Sequence, residues 1–319
     1  MKKIRTKKIK KSLISINQYR KRHGLSTGFR SFIHYFYRTL KKYQINVDGS
    51  MISVNGYSMY TIPNDPGIST ELSIFKTHEP LNTKILKKIL KKGMTCIDIG
   101  GNIGYYVLLE RELIGNKGKI IAIEPLQRNF DCLKKNIELQ NVSNISTYCF
   151  ACSDKNGTVP FIVDKESNGC WIVPDGITNP DPSRGTITEV PVRILDEFIE
   201  ELNLKNVDFI RMDVEGFEIN ILKGLKNTLK NFRPIVSFEL HKNFLGEEKT
   251  REIFKILKDL DYEIESFVTR DLDIPLIGTM NDVKQLGIDD ALDIIENGKV
   301  GSFFMLNFTN KLNRFQTLN

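Results

Sequence analysis

The stretch CIDIGGNIG, residues 96–104, decides the fold, because an apolar strand runs directly into a glycine-rich turn. The turn opens a helix at about Tyr105, so its backbone can approach a ligand closely. Its spacing differs from the GxGxxG pattern of a dinucleotide site, since residue 102 is Asn. The carboxylate of Asp98 would repel a diphosphate and suits a ligand that carries an ammonium or sulfonium charge. Capping of the following helix is the alternative role for Asp98.

A second carboxylate, Glu124, ends the next apolar strand, twenty residues after Gly104. A carboxylate at this point accepts hydrogen bonds from both hydroxyls of a ribose. A cationic centre near the turn and a ribose at the next strand describe S-adenosylmethionine better than NAD. We therefore expect S-adenosylmethionine as the cofactor.

Apolar strand-like segments alternate with helical segments from residue 81 onward. This alternation predicts an α/β protein with a parallel, doubly wound sheet that helices cover on both faces. We expect one strand over 145–154, one helix over 217–231 and another over 251–261. Two interruptions, 165–188 and 271–300, are interpreted as surface loops, where acceptor specificity would reside.

The composition is that of a globular protein, with 319 residues, 40% hydrophobic and 27% charged. It excludes a disordered, collagenous or disulfide-scaffold protein. No run of 18 apolar residues predicts a spanning helix, and no apolar segment of a secretory signal follows the basic N-terminus. Five cysteines without paired metal spacing are interpreted as reduced thiols in a cytoplasmic protein.

The net charge of +7 divides unevenly along the chain. Residues 1–47 contain 14 Lys or Arg and no acidic residue, whereas the rest carries 32 basic and 39 acidic residues. An amphipathic helix is predicted over 29–43, rich in aromatic and basic residues. It would either dock on the body of the protein or, through residues 1–44, make a peripheral contact with an anionic membrane at the inner surface.

A short hairpin is predicted over 45–62, with Asp48-Gly49 as its turn. We therefore divide the chain into a basic N-terminal arm with helix and hairpin, residues 1–60, and a catalytic domain, residues 61–319.

Segments that are spread over roughly half of the chain resemble the FkbM family of S-adenosylmethionine-dependent methyltransferases. They keep that family's order and spacing. The matching segments are HEP at 78–80, DIGGNIGYY at 98–106, GKIIAIEPLQRNFDCLKKNIELQN at 118–141, ACSDKNGTV at 151–159, ILDEF at 194–198, DFIRMDVEGFEINILKGL at 208–225 and PIVSFELH at 234–241.

The resemblance implies the Rossmann-like, doubly wound sheet of class I methyltransferases, mostly parallel with an antiparallel last strand, and S-adenosylmethionine as cofactor. Two positions depart from the family: Gly101 replaces the usual Ala, and Arg211 replaces the usual Lys, which changes the geometry of that charge. The residues that the resemblance assigns to the cofactor are Glu79, Asp98, Gly100, Asn102, Gly104, Glu124, Ser153, Asp154 and Asp213.

Candidate catalytic groups follow two strands: Asp213 and Glu215 in MDVEGFE, and Glu239 and His241 in FELH. A sugar or alcohol hydroxyl is a weak nucleophile, so a general base within hydrogen-bond reach would assist an O-methyltransferase. We predict the base among Asp213, Glu215 and His241. Structural alternatives remain open, namely a helix cap for Glu215, an ion pair between Glu239 and Arg211, and a structural role for His241.

The same four side chains offer ligands for a divalent metal. Their spacing does not demand one, so we rank a metal below a metal-free base and predict no metal site.

The leading hypothesis is an O-methyltransferase that acts on a hydroxyl of a sugar, glycolipid or secondary metabolite. A nucleic-acid methyltransferase with the basic arm on phosphates ranks lower, because the chain lacks an NPPY motif and a Pro-Cys nucleophile. A non-catalytic protein with the same fold is the third reading. For Trp171, the only tryptophan, stacking on a sugar ring and plain packing are both open.

Overall fold

A computed structural model describes residues 49–164, 167, 169–173, 185–270, 272–273, 278–297 and 303–310. The predicted basic arm and the helix over 29–43 lie outside these residues. Within the described part of the chain, no helix is both long and apolar enough to cross a membrane.

The predicted hairpin forms, but its turn differs from the prediction. Strands β1 (Met51–Val54) and β2 (Tyr57–Tyr60) pair antiparallel. They are joined by Asn55-Gly56 and not by Asp48-Gly49. Both turn residues have positive φ, 51° and 90°, as a type I′ hairpin turn requires, and Asn-Gly is the favoured pair for that turn.

The hairpin is tied to the body of the protein. The Tyr60 backbone donates to Oδ1 of Asn136 at 2.5 Å, and Nδ2 of Asn136 donates back to the Tyr60 carbonyl at 3.0 Å. These bonds join residues from the two sides of the predicted domain boundary at residue 60. The position of that boundary stays a prediction.

The main sheet has eight strands in the order β13-β12-β14-β11-β10-β3-β4-β5. Five neighbours, from β5 to β11, run parallel. The last strand, β14, pairs antiparallel with β11, as predicted. The strands are β3 (Thr95–Ile99), β4 (Lys119–Ile123), β5 (Ile145–Tyr148), β10 (Phe209–Met212), β11 (Ile235–His241), β12 (Tyr262–Thr269), β13 (Lys284–Leu286) and β14 (Phe303–Asn310).

Helices cover the main sheet on both faces, and two large apolar clusters fill the space between them. The first helices begin where the sequence favours a start; Pro80, for example, occupies the first turn of α2. The helices are α1 (Ile68–Phe75), α2 (Pro80–Ile89), α3 (Tyr105–Ile114), α4 (Gln127–Leu139), α5 (Leu195–Glu201), α6 (Glu218–Lys223), α7 (Lys226–Asn231), α8 (Lys242–Asp259) and α9 (Ile288–Asn297).

Three predicted elements are wrong in extent. The single strand over 145–154 is β5 followed by a separate strand in another sheet, β6 (Ala151–Ser153). The helix over 217–231 is two short helices, α6 and α7. The helix over 251–261 begins earlier, at Lys242, and breaks at Gly246, whose φ of 75° is not helical.

The two stretches interpreted as loops contain regular structure. A second sheet, of four strands in the order β6-β9-β7-β8, uses residues from the first stretch. Its remaining strands are β7 (Gly157–Val163), β8 (Trp171–Ile172) and β9 (Thr186–Ile194). The second stretch contains β13 and α9. Pairing with other strands, which local periodicity does not reveal, forms β8, β9 and β13. The helix α9 is amphipathic and buries Ala291 and Ile295.

Candidate functional site

A cleft of about 640 Å³, partly open to solvent, lies at the carboxyl ends of β3, β4 and β10. Ligand sites of open α/β sheets lie at this edge. One wall comes from the second sheet, through Phe161 and Ile172. Five of the predicted site residues line the cleft, namely Gly100, Asn102, Glu124, Asp213 and Glu215.

The backbone of the glycine turn lies close to the ends of the two strands that flank β3, namely β10 and β4. Gly100 has a φ of 85°, and a Cβ atom at this position would lie 2.1 Å from the carbonyl oxygen of Asp213. The amides of Gly100 and Gly101 donate to the carbonyl of Ile123 at 2.9 and 3.0 Å. Asn102 and Gly104 also have positive φ. A side chain at residue 100 would therefore displace the backbone that forms the floor of the cleft.

Glu124 is buried at the end of β4 and is held by backbone donors. Its Oε2 accepts from the amide of Asn102 and its Oε1 from that of Leu126, both at 2.9 Å. Burial raises the pKa of Glu124 to about 7, although these two hydrogen bonds lower it. A carboxylate on the cleft wall, fixed beside the glycine turn, fits the two hydroxyls of a ribose.

Asp98 is fully buried on the strand before the turn and does not cap α3, which has no side-chain cap. Its Oδ2 lies 3.5 Å from Arg211, whose other terminal nitrogen donates to Asp213 at 3.0 Å. The guanidinium carbon of Arg211 lies 3.8 Å from the ring centre of Tyr106. The suggested pair between Arg211 and Glu239 is therefore wrong.

Glu110 on α3 is a buried carboxyl that the sequence analysis missed. Burial, and then the charge of Asp98, raise the pKa of Glu110 well above its usual range. Burial also raises the pKa of Asp98, although the charge of Arg211 lowers it. A glutamate inside the apolar run YYVLLERELI was the signal in the sequence.

Glu79 lies behind the cleft wall and does not line it. Its carboxylate contacts the Tyr106 hydroxyl at 2.5 Å, His78 at 3.2 Å and Arg270 at 3.3 Å. Burial alone would raise the pKa of Glu79, but Arg270 and His78 hold it well below its usual range. Arg270 also reaches Glu239 at 3.4 Å, a link that the sequence did not reveal. A direct role of Glu79 in cofactor binding stays a prediction.

Ser153 and Asp154, at the end of β6, flank the cleft without lining it. The Ser153 hydroxyl donates to Oδ1 of Asp154 at 3.1 Å, and Asn220 donates to the same oxygen. Cys152, the residue before them, does line the cleft. Their predicted position beside the adenine stays a prediction.

The candidate bases meet at the ends of β10 and β11. Nε2 of His241 lies 3.2 Å from Oε2 of Glu215, and its Nδ1 lies 2.6 Å from Oε1 of Glu218. Glu215 does not cap a helix, because α6 begins at Glu218 with Phe217 as its N-cap residue. His241 is buried and does not line the cleft.

His241 and Glu215 also differ in the charges that shift their pKa values. Burial alone would lower the pKa of His241, but Glu215, Glu218 and Glu239 raise it well above its usual range. The imidazole is therefore protonated near neutral pH. Burial raises the pKa of Glu215 to about 8, although His241 lowers it.

Asp213, Glu239 and His241 also offer one ligand atom each within 4.8 Å of one another. This spacing could hold a metal ion, and no other such group occurs among the described residues. A metal-free site remains our prediction, which activity in the presence of a chelator would test.

Comparison with known proteins agrees with the geometry. A family model described as the methyltransferase FkbM domain matches residues 98–264, slightly more than half of the chain. Methyltransferase 1 of Beauveria bassiana is 29% identical over 143 residues, 40% of this chain and 57% of that protein. The chain thus spans little more than half the length of this relative.

The names of two other relatives state a substrate or the position that is methylated. The hexuronic acid methyltransferase AglP of Haloferax volcanii is 26% identical over 177 residues, 52% of this chain and 68% of that protein. The 2-O-methyltransferase NoeI of Sinorhizobium fredii is 26% identical over 210 residues, 61% of this chain and 82% of that protein. With its glycine turn, its buried carboxylate beside that turn and its matched domain, the chain belongs to the FkbM family of S-adenosylmethionine-dependent methyltransferases and has their class I, Rossmann-like fold.

Proposed function

We propose that this protein is an O-methyltransferase that methylates a hydroxyl group of a sugar or a sugar-containing molecule. The observation that carries the proposal is the position of Glu215, which lines the cleft and contacts the buried pair of His241 and Glu218. The names of the relatives AglP and NoeI support a sugar as the acceptor and oxygen as the methylated atom.

The cofactor would lie along the glycine turn. Gly100 and Asn102 supply a backbone floor, and Glu124 supplies a carboxylate for the ribose. Asp213 lines this end of the cleft, where a carboxylate suits a sulfonium group, and the buried Asp98 contacts Arg211, which pairs with Asp213. S-adenosylmethionine supplies an electrophilic methyl group when it is bound.

Glu215 is the proposed general base. It lines the cleft with part of its side chain exposed, so an acceptor hydroxyl can reach it, whereas His241 lies behind it and is buried. The carboxylate of Glu215 is mostly ionised above its pKa of about 8. In that form it would accept the hydroxyl proton while the methyl–sulfur bond breaks and the acceptor oxygen bonds to the methyl carbon, which leaves S-adenosylhomocysteine. His241 would donate to Glu215 and hold its orientation, while Glu218 fixes the imidazole ring.

The test measures transfer of a labelled methyl group from S-adenosylmethionine to a panel of methyl glycosides of glucose, galactose, mannose, rhamnose and glucuronic acid. Glu215→Gln should lower kcat about 100-fold or more, the usual contribution of a general base, and leave calorimetric binding of S-adenosylhomocysteine within twofold. Glu200→Gln, an exposed carboxylate on α5, is the matched control and should change neither quantity.

Two results would contradict the proposal in different ways. If no glycoside accepts label from a protein that binds S-adenosylhomocysteine, the sugar acceptor is wrong. If Glu215→Gln keeps the full kcat, the assignment of the base is wrong.

A further inference from the structure

We propose that Trp171 and Phe244 form an aromatic platform on which an uncharged sugar ring stacks, and that the adjoining carboxylates exclude a hexuronic acid from this site. This inference rests on the proposed function and names the class of acceptor at the same site. The acceptor's reacting hydroxyl would point from the platform to Glu215.

The two aromatic rings lie next to each other beside the cleft and do not line it. Their centroids are 5.8 Å apart, and the ring planes meet at 46°. Phe244, in the first turn of α8, is 39% exposed, and Trp171 on β8 is partly exposed. The chain neighbours of Trp171, Cys170 and Ile172, both line the cleft. Because successive side chains of a strand point to opposite faces, the Trp171 ring lies on the face of β8 opposite to these two side chains, and Phe244 connects the platform to the residues of the cleft.

The platform adjoins the proposed base. A Cβ atom at Gly216, the residue after Glu215, would lie 2.4 Å from Cβ of Phe244. Only glycine leaves this space, and its φ of 93° also favours glycine. The Phe244 ring centroid lies 6.2 Å from that of His241, which contacts Glu215. Platform and base are thus separated by no more than one side chain.

The shape and chemistry of the two surfaces suit a neutral sugar. The flat, apolar face of a pyranose packs well on an aromatic ring, and its hydroxyls donate hydrogen bonds to carboxylates. Large aromatic groups with a few convergent polar groups are typical of small-molecule sites.

The charge of the adjoining site excludes a uronic acid. Four carboxylates lie at the ends of β10 and β11 and at the start of α6: Asp213, Glu215, Glu218 and Glu239. Among the described residues, the cations that contact them are Arg211, His241 and Arg270.

Two of these cations are shared with further buried acids. Arg211 also faces Asp98, and Arg270 also faces Glu79. Glu79 in turn contacts His78, which also contacts Glu71. Seven carboxylates therefore face four cations, so another carboxylate would enter a site in which acids outnumber cations. Like charges brought together in a partly buried site repel.

The experiment measures sugar binding by the fluorescence of Trp171, which is the only tryptophan of the chain. Full-length protein, saturated with S-adenosylhomocysteine, is titrated with neutral methyl glycosides and with methyl β-D-glucuronide. We expect a saturable change of tryptophan emission with at least one neutral glycoside, and binding of the glucuronide at least tenfold weaker.

Variants distinguish a loss of sugar binding at the platform from a general loss of stability. Phe244→Ala should raise the KM for the neutral glycoside at least tenfold and leave binding of S-adenosylhomocysteine within twofold. Leu139→Ala removes a side chain of equal exposure, 39%, on α4, and should change neither. Trp171→Ala should behave like Phe244→Ala, whereas Trp171→Phe should retain most of the acceptor affinity because it keeps an aromatic ring.

The outcomes distinguish this inference from the proposed function. The platform is wrong if neutral glycosides are methylated but Phe244→Ala leaves their KM unchanged, or if none of them alters the emission of Trp171. The charge argument is wrong if the glucuronide binds as tightly as the neutral glycosides. Absence of methyl transfer to every sugar would instead overturn the proposed function.

Discussion

Glu218 and His241 form a buried pair in which the carboxylate Oε1 lies 2.6 Å from Nδ1 of the imidazole. The contact leaves Nε2 of the ring 3.2 Å from Glu215, the residue that lines the cleft. Glu218 belongs to α6 and His241 ends β11, so the pair joins a helix to the edge of the sheet. The orientation of Glu215 thus depends on a residue that no acceptor touches.

The first prediction concerns this pair. Glu218→Gln should lower kcat about 10- to 100-fold, as is typical when a buried partner that orients a functional group is changed. Binding of S-adenosylhomocysteine should stay within twofold, because Glu218 does not line the cleft. Steady-state kinetics and calorimetry measure the two effects. An unchanged kcat would show that the pair has only a structural role.

The second prediction concerns the glycine turn. Gly100→Ala should abolish binding of S-adenosylhomocysteine, because the new Cβ atom would lie 2.1 Å from the Asp213 carbonyl oxygen. Gly56→Ala is the matched control, since Gly56 has a similar φ of 90° and a Cβ atom there would meet no heavy atom within 4 Å. The control should lose only the cost of a left-handed backbone, about 1–2 kcal/mol in the free energy of unfolding. Equal binding by both variants would contradict the role of the turn.

The third prediction is a pH dependence of cofactor binding. Burial raises the pKa of Glu124 to about 7, so the acid is mostly protonated at pH 6 and mostly ionised at pH 8. In the proposed role, the ionised form would accept both ribose hydroxyls, and the affinity for S-adenosylhomocysteine should therefore rise with pH, by up to about tenfold per unit below pH 7. Calorimetry across this range measures it. Glu124→Gln should bind weakly and without this dependence, and a variant that kept the dependence would assign it to another group.

The fourth prediction concerns stability around His78. Burial alone would lower the pKa of His78, but Glu71 and Glu79 raise it to about 10. The folded protein thus holds a proton that the unfolded chain releases above pH 6.5. The resulting stabilisation should be complete below pH 6.5 and be lost as the pH rises through 10.

His78→Leu removes the cation between these two carboxylates and should lower the free energy of unfolding by about 3–5 kcal/mol at pH 6. Urea unfolding of both proteins at several pH values measures the difference, which should narrow toward pH 10. A difference that stays constant with pH would contradict the charged state of His78.

The fifth prediction concerns metal. With Glu215 as base, a chelator such as EDTA should leave methyl transfer within twofold of its rate without chelator. A loss of activity that Mg²⁺ or Mn²⁺ restores would instead assign the group of Asp213, Glu239 and His241 to a cation. Asp213→Asn and Glu239→Gln would then raise the metal concentration needed for activity.

Much of the sheet could be predicted because its signals are local. The strands around residues 96–99 and 209–212 are short apolar runs, and α3 begins at Tyr105 as predicted. The glycine turn and Glu124 also lie within one segment of chain, and both line the cleft. The local hydrophobic periodicity and the residues of the turn suffice to predict such features.

Features that depend on pairing between distant segments were missed or misjudged. The second sheet forms because β9 pairs with β6 and β7, which no local period reveals. Arg211 was matched with Glu239, but the register sets it beside Asp98 on one neighbouring strand and Ser237 on the other. Glu239 lies two residues farther along, within reach of Arg270.

The sequence by itself determined the fold class, the family and the position of the cofactor turn, because these depend on periodicity and on the order of motifs along the chain. Only the tertiary structure decided which buried charges face one another, and so which of Asp213, Glu215 and His241 an acceptor can reach. The physical reason is that charge pairing and burial depend on distances of a few ångströms between strands, which are set by sheet register and helix packing.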